Sequence, residues 1–231
     1  MIKNEFIETI NINKFQKICE ELENPDALIG PSLAMVTGPA GRGKTEAAKH
    51  YVIHESAIYI PPMNICSAPM LLREIAFELG KVRPRTSEAC LEIIGKEIAK
   101  ERRLIIIDEA DLKPMAILEM LRNINERYGC PIVLIGEDRL KGKIESQRRL
   151  ASRVRRRMEF APISQQDIAY FFKKCMALKP SADVVAAILK HCRGDWRPVL
   201  TCAIGIERAM KASNLKEATV EMITDVINDG R

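Results

Sequence analysis

The segment Gly38-Pro39-Ala40-Gly41-Arg42-Gly43-Lys44-Thr45 combines glycines, a lysine and a threonine at the spacing G-x-x-x-x-G-K-S/T. Glycines let a loop wrap tightly with its N–H groups turned inward, so a triphosphate can sit on them and on the positive end of the following helix. Lys44 would reach the β- and γ-phosphates. Thr45 would offer its hydroxyl to Mg²⁺, a hard cation that prefers oxygen ligands. The alternative is a glycine-rich turn without a ligand, and the flanking strand and helix patterns argue against it.

A second group of residues that could do chemistry is a pair of carboxylates, Asp108 and Glu109. They come directly after the unbroken apolar run Leu104–Ile107. Such runs are typical of strands buried on both faces in a parallel sheet. An acid at the end of a strand beside bound phosphates can hold Mg²⁺, and a second acid can polarise the attacking water. We therefore assign the metal to Asp108 and the water to Glu109, rather than a helix-capping role to the pair.

The elements that position these residues alternate along the chain. Apolar runs predict strands at 32–37, 57–60, 104–107, 131–135 and 158–160. Helical spacing predicts helices at 14–22, 46–54, 69–79 ended by Gly80, 87–100 capped by Thr86 or Ser87, and 114–128 ended by Gly129. This alternation is typical of an α/β fold with a central parallel sheet.

After Pro162 the pattern contains helices only, including one halted by Gly194 and a last one at 216–227. We therefore expect an α/β nucleotide-binding domain at 1–162, with a short amino-terminal helical arm, and a small carboxy-terminal helical lid domain at 163–231.

Composition points to an ordinary soluble protein of 231 residues, 47% apolar and 29% charged. No apolar run is long enough to cross a bilayer, and no signal sequence opens the chain, so we expect a cytoplasmic protein without a membrane partner. The seven cysteines form no C-x-x-C pair, which argues for reduced thiols and against sulfur-ligated metal.

The net charge of +5 is unevenly distributed. Between Arg139 and Arg157 there are nine basic residues and one acid, Glu145. Such a cluster fits a solvated face, a nucleic-acid surface or contact with the phosphates bound by a neighbouring subunit.

Together, the loop at 38–45, the acids after a buried strand and the helical lid resemble the AAA+ ATPases, in which they match the Walker A and Walker B motifs. The resemblance implies ATP and Mg²⁺ as cofactors and ATP hydrolysis as the activity. Gly194-Asp195-Trp196-Arg197 is similar to the sensor 2 motif, which implies that Arg197 reaches the γ-phosphate. Ser152-Arg153-Val154 resembles the arginine-finger segment, which implies that Arg153, with Arg149 as the second choice, acts on ATP held by the adjacent subunit.

One position departs from the family pattern. The sensor 1 position after Ile135 usually carries a small polar residue, whereas Gly136-Glu137-Asp138 stands here. We therefore expect hydrolysis to be slow or to need stimulation.

Within the family, the segments 104–112, 118–122, 129–136 and 139–140 resemble the transposition ATPases of the MuB and TnsC type. This implies a homo-oligomeric ring or helical filament on double-stranded DNA that selects the target and recruits the transposase. The resemblance also implies a pore face, built from the helices after the second strand, that contacts the phosphate backbone without sequence preference. Its candidate residues are Lys81, Arg83 and Arg85, with Arg73 and Thr86.

Three alternatives remain open. The basic connector at 81–85 could be an ordinary solvated loop. A helicase-loader or clamp-loader type ATPase would share every nucleotide motif, and so would a AAA+ partner in secretion or cell-envelope assembly that never contacts DNA.

Overall fold

The computed structural model describes residues 2, 3, 5–24, 30–63, 66–213 and 220–229. These residues divide into two compact units. The larger unit comprises Asn11–Pro39 and Lys44–Phe160, and the smaller unit comprises the amino-terminal segment through Ile10, Ala40–Gly43 and the chain from Ala161 onward.

A five-stranded parallel sheet forms the centre of the larger unit, in the order β2-β3-β4-β1-β5. The strands are β1 (Leu33–Thr37), β2 (Ile58–Ile60), β3 (Ile105–Ile107), β4 (Ile132–Ile135) and β5 (Val154–Glu159). Every residue of β1, β3 and β4 is buried, as expected for central strands covered on both faces. The predicted α/β fold with a central parallel sheet is confirmed. Because all strands run in one direction, the glycine-rich loop, Asp108 and Gly136 all emerge at the carboxyl edge of the sheet.

Helices connect these strands. They are α1 (Ile10–Glu23), α2 (Lys44–His54), α3 (Ala68–Gly80), α4 (Ser87–Lys100), α5 (Met115–Tyr128), α6 (Asp138–Glu145) and α7 (Arg148–Ala151), with a 3₁₀ turn at Ala110–Leu112. Thr86, rather than Ser87, caps α4, because its Oγ1 accepts a 3.2 Å hydrogen bond from the Ala89 N–H. Gly129 ends α5 in the left-handed conformation, as predicted, with φ of 63°.

The apolar core lies mainly where α3, α4 and α5 pack on the sheet, and it includes Leu71, Ile75, Ile94, Leu118 and Leu121. Aromatic contacts attach α1 to the rest of the larger unit. The ring of Phe15 packs edge-on against Tyr51 of α2 at 6.3 Å between centroids, and against Phe160 at 6.2 Å. These contacts hold α1 beside the helix that follows the glycine-rich loop.

Two helix boundaries and the start of one strand differ from their predictions. α3 is not ended by Gly80: the left-handed residue is Lys81, with φ of 56°. Gly80 instead lies against α4, where a Cβ would come within 2.9 Å of Ile93 Cγ2. α1 begins at Ile10, before the predicted residue 14.

The last strand was also misplaced, since β5 begins at Val154 rather than at residue 158. In β5, only Val154 and Met158 are buried, and the arginines between them hide the strand signal. An edge strand has one neighbour and can carry charge on its open side.

The smaller unit contains α8 (Gln165–Met176), α9 (Ala182–Cys192), α10 (Trp196–Ser213) and α11 (Val220–Asp229). Ser164 and Asp167 form a capping box at the start of α8. α9 ends at Cys192, and Arg193 as well as the predicted Gly194 has a positive φ, 49° and 81°. Residues 216–219 of the last predicted helix lie outside the described residues. Among the helices that the structure describes, none has the length and apolar character needed to span a bilayer.

Candidate nucleotide-binding site

The glycine-rich loop connects β1 to α2 and curls around its own lysine. Gly38, Gly41 and Gly43 have φ values of 144°, 75° and 93°, a region that side chains rarely adopt. Lys44 is the first residue of α2, and its Nζ donates hydrogen bonds to Gly38 O at 2.6 Å and to Pro39 O at 2.8 Å. The loop thus combines a helix amino terminus, a lysine and three glycines in positive-φ conformations, which fits a phosphate cradle.

Lys44 is 9% exposed, and this burial lowers the pKa of its ammonium from the ordinary value of 10.5. Four carboxylates act in the opposite direction and favour the charged form, those of Glu137, Asp108, Asp111 and Asp138, in decreasing order. All four follow β3 or β4 at the carboxyl edge of the sheet. The lysine therefore lies between acids and the loop that would hold phosphate.

Thr45 and Asp108, the two residues predicted to hold the metal, contact each other. Thr45 Oγ1 donates a 2.8 Å hydrogen bond to Asp108 Oδ2, and Asp108 is 2% exposed. Since the single hydroxyl hydrogen of Thr45 is used in this bond, its lone pairs remain available to a cation. These oxygen donors fit Mg²⁺, which would supply positive charge beside the phosphates.

Glu109 is exposed and has a strained backbone, with φ of 46° and ψ of 44°. This left-handed conformation costs a non-glycine residue on the order of 1 kcal/mol or more. The Glu109 N–H donates a 2.8 Å hydrogen bond to Asp108 Oδ1, which helps to hold the turn. The result is one buried acid and one solvent-facing acid at adjacent positions, an arrangement suited to the two predicted roles.

The residue at the sensor 1 position, Gly136, has no side chain to offer. A Cβ on Gly136 would lie 2.7 Å from Asp111 Oδ1, so no larger residue fits unless Asp111 moves. Asp111 is 3% exposed, and it accepts hydrogen bonds from the Glu137 N–H at 3.2 Å and from Arg139 at 3.1 Å. Asp111 therefore holds the loop after β4 against the segment after β3.

Arg153 lies at the amino end of the parallel strands, whereas the glycine-rich loop lies at their carboxyl end. It directly precedes Val154, which is in register with Leu33, the first residue of β1, whereas the glycine-rich loop follows Thr37, the last residue of β1. At about 3.3 Å per residue, the length of this strand separates the Arg153 backbone from the loop of its own subunit. Its guanidinium forms an ion pair with Glu126. Arg149, on α7, is exposed and has no ion pair with the part of the chain that the structure describes.

Arg197 is the second residue of α10, and its backbone N–H donates a 2.8 Å hydrogen bond to Asp195 Oδ1. Within the smaller unit, the preceding turn holds residues 40–43. Trp196 N donates to Gly41 O at 3.0 Å, and Arg42 donates to Gly194 O. A Cβ on Gly41 would lie 1.9 Å from Asp195 Oδ1, so this contact requires glycine. The reach of Arg197 to a γ-phosphate stays a prediction.

The candidate DNA contacts fall into two groups. Arg73 and Thr86 are used internally: Arg73 donates to Pro84 O at 3.1 Å and Arg85 O at 3.4 Å, and Thr86 caps α4. Lys81, Arg83 and Arg85 are exposed. Lys81 and Arg83 pair with acids of α3, and the Arg83 guanidinium also stacks on the Phe77 ring, 4.0 Å from its centroid. Arg85 makes no ion pair within the described ranges, so it is the most available of the three.

Several arginines of the basic stretch at 139–157 form ion pairs with acids of the same unit. Besides Arg139 and Arg153, Arg156 pairs with Glu21 at 2.7 Å and Arg157 pairs with Glu145 at 3.3 Å. Three of these pairs attach the stretch to other segments of the larger unit, and the pair of Arg157 with Glu145 lies within the stretch itself. Their presence favours a structural role for much of this charge over a continuous binding face.

Tyr59 and Asp111 were missed by the sequence analysis. The Tyr59 hydroxyl donates a 2.7 Å hydrogen bond to Asp108 Oδ2. A polar-tipped residue in an otherwise apolar strand was the available signal for Tyr59, and the second aspartate in Asp-Glu-Ala-Asp was the signal for Asp111.

Sequence comparisons place these motifs among known proteins. A model of the AAA domain family matches residues 29–144, half of the chain. The Mu-like prophage FluMu DNA transposition protein B of Haemophilus influenzae is 34% identical over 159 residues, 64% of this chain and 54% of that protein. The ATP-dependent target DNA activator B of Escherichia phage Mu is 30% identical over 151 residues, 62% of this chain and 48% of that protein. The chain thus spans about half the length of these relatives.

Solved structures agree on the fold. The Aeropyrum pernix ORC2 protein, in complexes with ADPNP and ADP, has a TM-score of 0.73 at 13% identity, covering all of this chain and 70% of that one. The Thermotoga maritima RuvB motor has a TM-score of 0.64 at 18% identity, covering 97% of this chain and 70% of that one. With the family match, the parallel sheet and the glycine-rich loop, these findings lead to one conclusion: the chain, which is similar to the transposition protein B of a Mu-like prophage and to the target DNA activator B of phage Mu, belongs to the AAA domain family of P-loop NTPases.

Proposed function

We propose that this protein is an ATP-dependent double-stranded DNA-binding AAA+ ATPase that oligomerises on DNA, selects transposition targets and recruits a transposase. The observation that carries the proposal is the joined site of Lys44, Thr45 and Asp108 in a chain 30–34% identical to proteins named as a DNA transposition protein and a target DNA activator.

In the proposed site, the loop at 38–45 binds the phosphates of ATP and Thr45 and Asp108 hold Mg²⁺. Lys44 exchanges its hydrogen bonds to Gly38 O and Pro39 O for the phosphates. Glu109, exposed beside buried Asp108, orients and activates the water. Arg197 contacts the γ-phosphate from within the subunit.

Assembly completes the site. Arg153 lies at the edge of the sheet away from its own glycine-rich loop, which supports a role on the nucleotide of the next subunit. A finger of this kind neutralises charge that builds on the transferring phosphoryl group. ATP then acts as the signal for assembly on DNA, and slow or stimulated hydrolysis acts as the release switch.

Filter binding with a radiolabelled random-sequence duplex tests the proposal. We expect retention of DNA with ATP and weak retention with ADP, falling steeply as salt rises, because each neutralised phosphate releases counterions. Lys44→Ala should abolish the ATP-dependent part. Electron microscopy of the ATP-bound sample should show rings or filaments along the duplex.

Indifference to DNA at low salt, with ATP binding intact, would reject DNA-directed function and favour a AAA+ ATPase that acts on protein. Binding to DNA as separate subunits, without assembly, would reject the proposed role of Arg153.

A further inference from the structure

Tyr59 projects from β2 toward the candidate metal site. β2 is an edge strand, paired with β3 so that Tyr59 is in register with Ile106. Ile58 and Ile60 belong to the apolar core on one face of the sheet, so Tyr59, between them, projects from the other face. Its hydroxyl donates a 2.7 Å hydrogen bond to Asp108 Oδ2.

Asp108 receives three hydrogen bonds in total from the described residues. Thr45 and Tyr59 donate to Oδ2 at 2.8 Å and 2.7 Å, and the Glu109 N–H donates to Oδ1 at 2.8 Å. The Thr45 and Glu109 donors belong to the nucleotide motifs themselves. Tyr59 is the donor that comes from outside them, on a different strand. Hydrogen bonds to an ionised carboxylate are shorter and stronger than neutral ones, so together these donors fix its orientation.

We propose that Tyr59 is a positioning residue for the metal: it holds Asp108 in the orientation that lets Thr45 and Asp108 bind Mg²⁺ together with ATP. Groups that orient metal-binding residues typically change metal affinity about 10- to 100-fold when removed. The proposal rests on the proposed nucleotide site, and it concerns the coupling of Mg²⁺ to nucleotide rather than nucleotide binding itself.

The test compares the affinity for a fluorescent ATP analogue in Mg²⁺ with that in EDTA, for the full chain. In the parent, Mg²⁺ should strengthen binding. In Tyr59→Phe, which keeps the ring, this enhancement should fall about tenfold while the affinity in EDTA is unchanged. In an Asp108→Asn background, Tyr59→Phe should have no further effect, because the two residues act through one contact.

Tyr51→Phe is the matched control. Tyr51 is 2% exposed in the same unit, and its hydroxyl also donates to a carboxylate, that of Glu23. Its loss should leave the Mg²⁺ enhancement unchanged.

The outcomes separate the two proposals. If the parent does not bind the analogue at all, the nucleotide site itself is wrong. If the parent binds it with Mg²⁺ enhancement and Tyr59→Phe shows the same enhancement, the positioning role is wrong. A parallel loss of affinity in Mg²⁺ and EDTA would also overturn it, since Tyr59 would then only support the strand.

Discussion

Arg153 forms an ion pair with Glu126 at the amino edge of the sheet, the edge opposite the glycine-rich loop of the same subunit. The exposed fractions of the two side chains are 44% and 33%, so the pair is accessible to an incoming surface. Exposed pairs of this kind contribute about 1 kcal/mol or less, which a stronger phosphate contact can replace. The ion pair with Glu126 therefore orients Arg153 but is weak enough to be exchanged for a phosphate contact.

Arg153→Ala should lower ATP hydrolysis by the assembled protein by about 10³- to 10⁵-fold while ATP binding persists. Arg149→Ala should have a much smaller effect. Mixing Arg153→Ala with Lys44→Ala subunits should restore part of the activity, because a mixed interface combines an intact loop with an intact finger. Hydrolysis rates across mixing ratios measure this, and absence of any recovery would contradict action between subunits.

The affinity for ATP should depend on pH through Lys44. Burial lowers the pKa of Lys44 from 10.5, and phosphate binding needs the charged form, so affinity should fall as the pH rises through this lowered pKa, before 10.5 is reached. The unfolded chain holds this proton more tightly, so the same group makes the free energy of unfolding rise with pH in that window. Fluorescence titrations over this range, with circular dichroism to monitor folding, test it; a constant affinity up to 10.5 would contradict it.

Glu109→Gln should separate ATP binding from hydrolysis. The amide keeps the size of the side chain but cannot take a proton from water, so hydrolysis should fall by about 10²- to 10⁴-fold. We expect ATP binding to be retained and the DNA-bound assembly to persist after dilution into competitor DNA. Release as fast as that of the parent would rule out hydrolysis as the switch.

Glu109 should also reveal strain in the fold. Its φ of 46° favours glycine, so Glu109→Gly should be more stable than Glu109→Ala by about 1 kcal/mol, the reverse of the order in a helix. Urea unfolding of the two variants measures the difference, and both should lose hydrolysis. A less stable glycine variant would show that the turn is not strained.

Replacing Lys81, Arg83 and Arg85 together with alanine should weaken DNA binding and flatten its dependence on salt. Each lost phosphate contact should reduce the slope of log affinity against log salt by about one. ATP binding should not change. Filter binding over a salt series measures the slope.

A charge-matched control uses exposed basic residues from other helices of the larger unit, Lys49, Lys100 and Arg127. If the control variant flattened the slope equally, the connector would be no more than a solvated loop.

The sequence alone predicted a nucleotide site and most of the order of helices and strands. Lys44, Thr45 and Asp108 could be assigned because phosphate and Mg²⁺ binding demand particular groups at particular spacings. The buried strands could be predicted because short, unbroken apolar runs are stable only when they are covered on both faces. Failures arose where local signals were ambiguous: the arginines of β5 masked an edge strand, and the left-handed turn after α3 fell on Lys81 rather than on Gly80.

Only the tertiary structure decided which distant residues share a contact. Tyr59 reaches Asp108 because β2 lies beside β3, and Asp111 fills the space next to Gly136 because the loops after β3 and β4 meet. Parallel pairing of β1 and β5 put Arg153 at the edge away from its own loop. Spacing along the chain does not contain these relations, since they depend on strand order and register, which packing of the whole sheet selects.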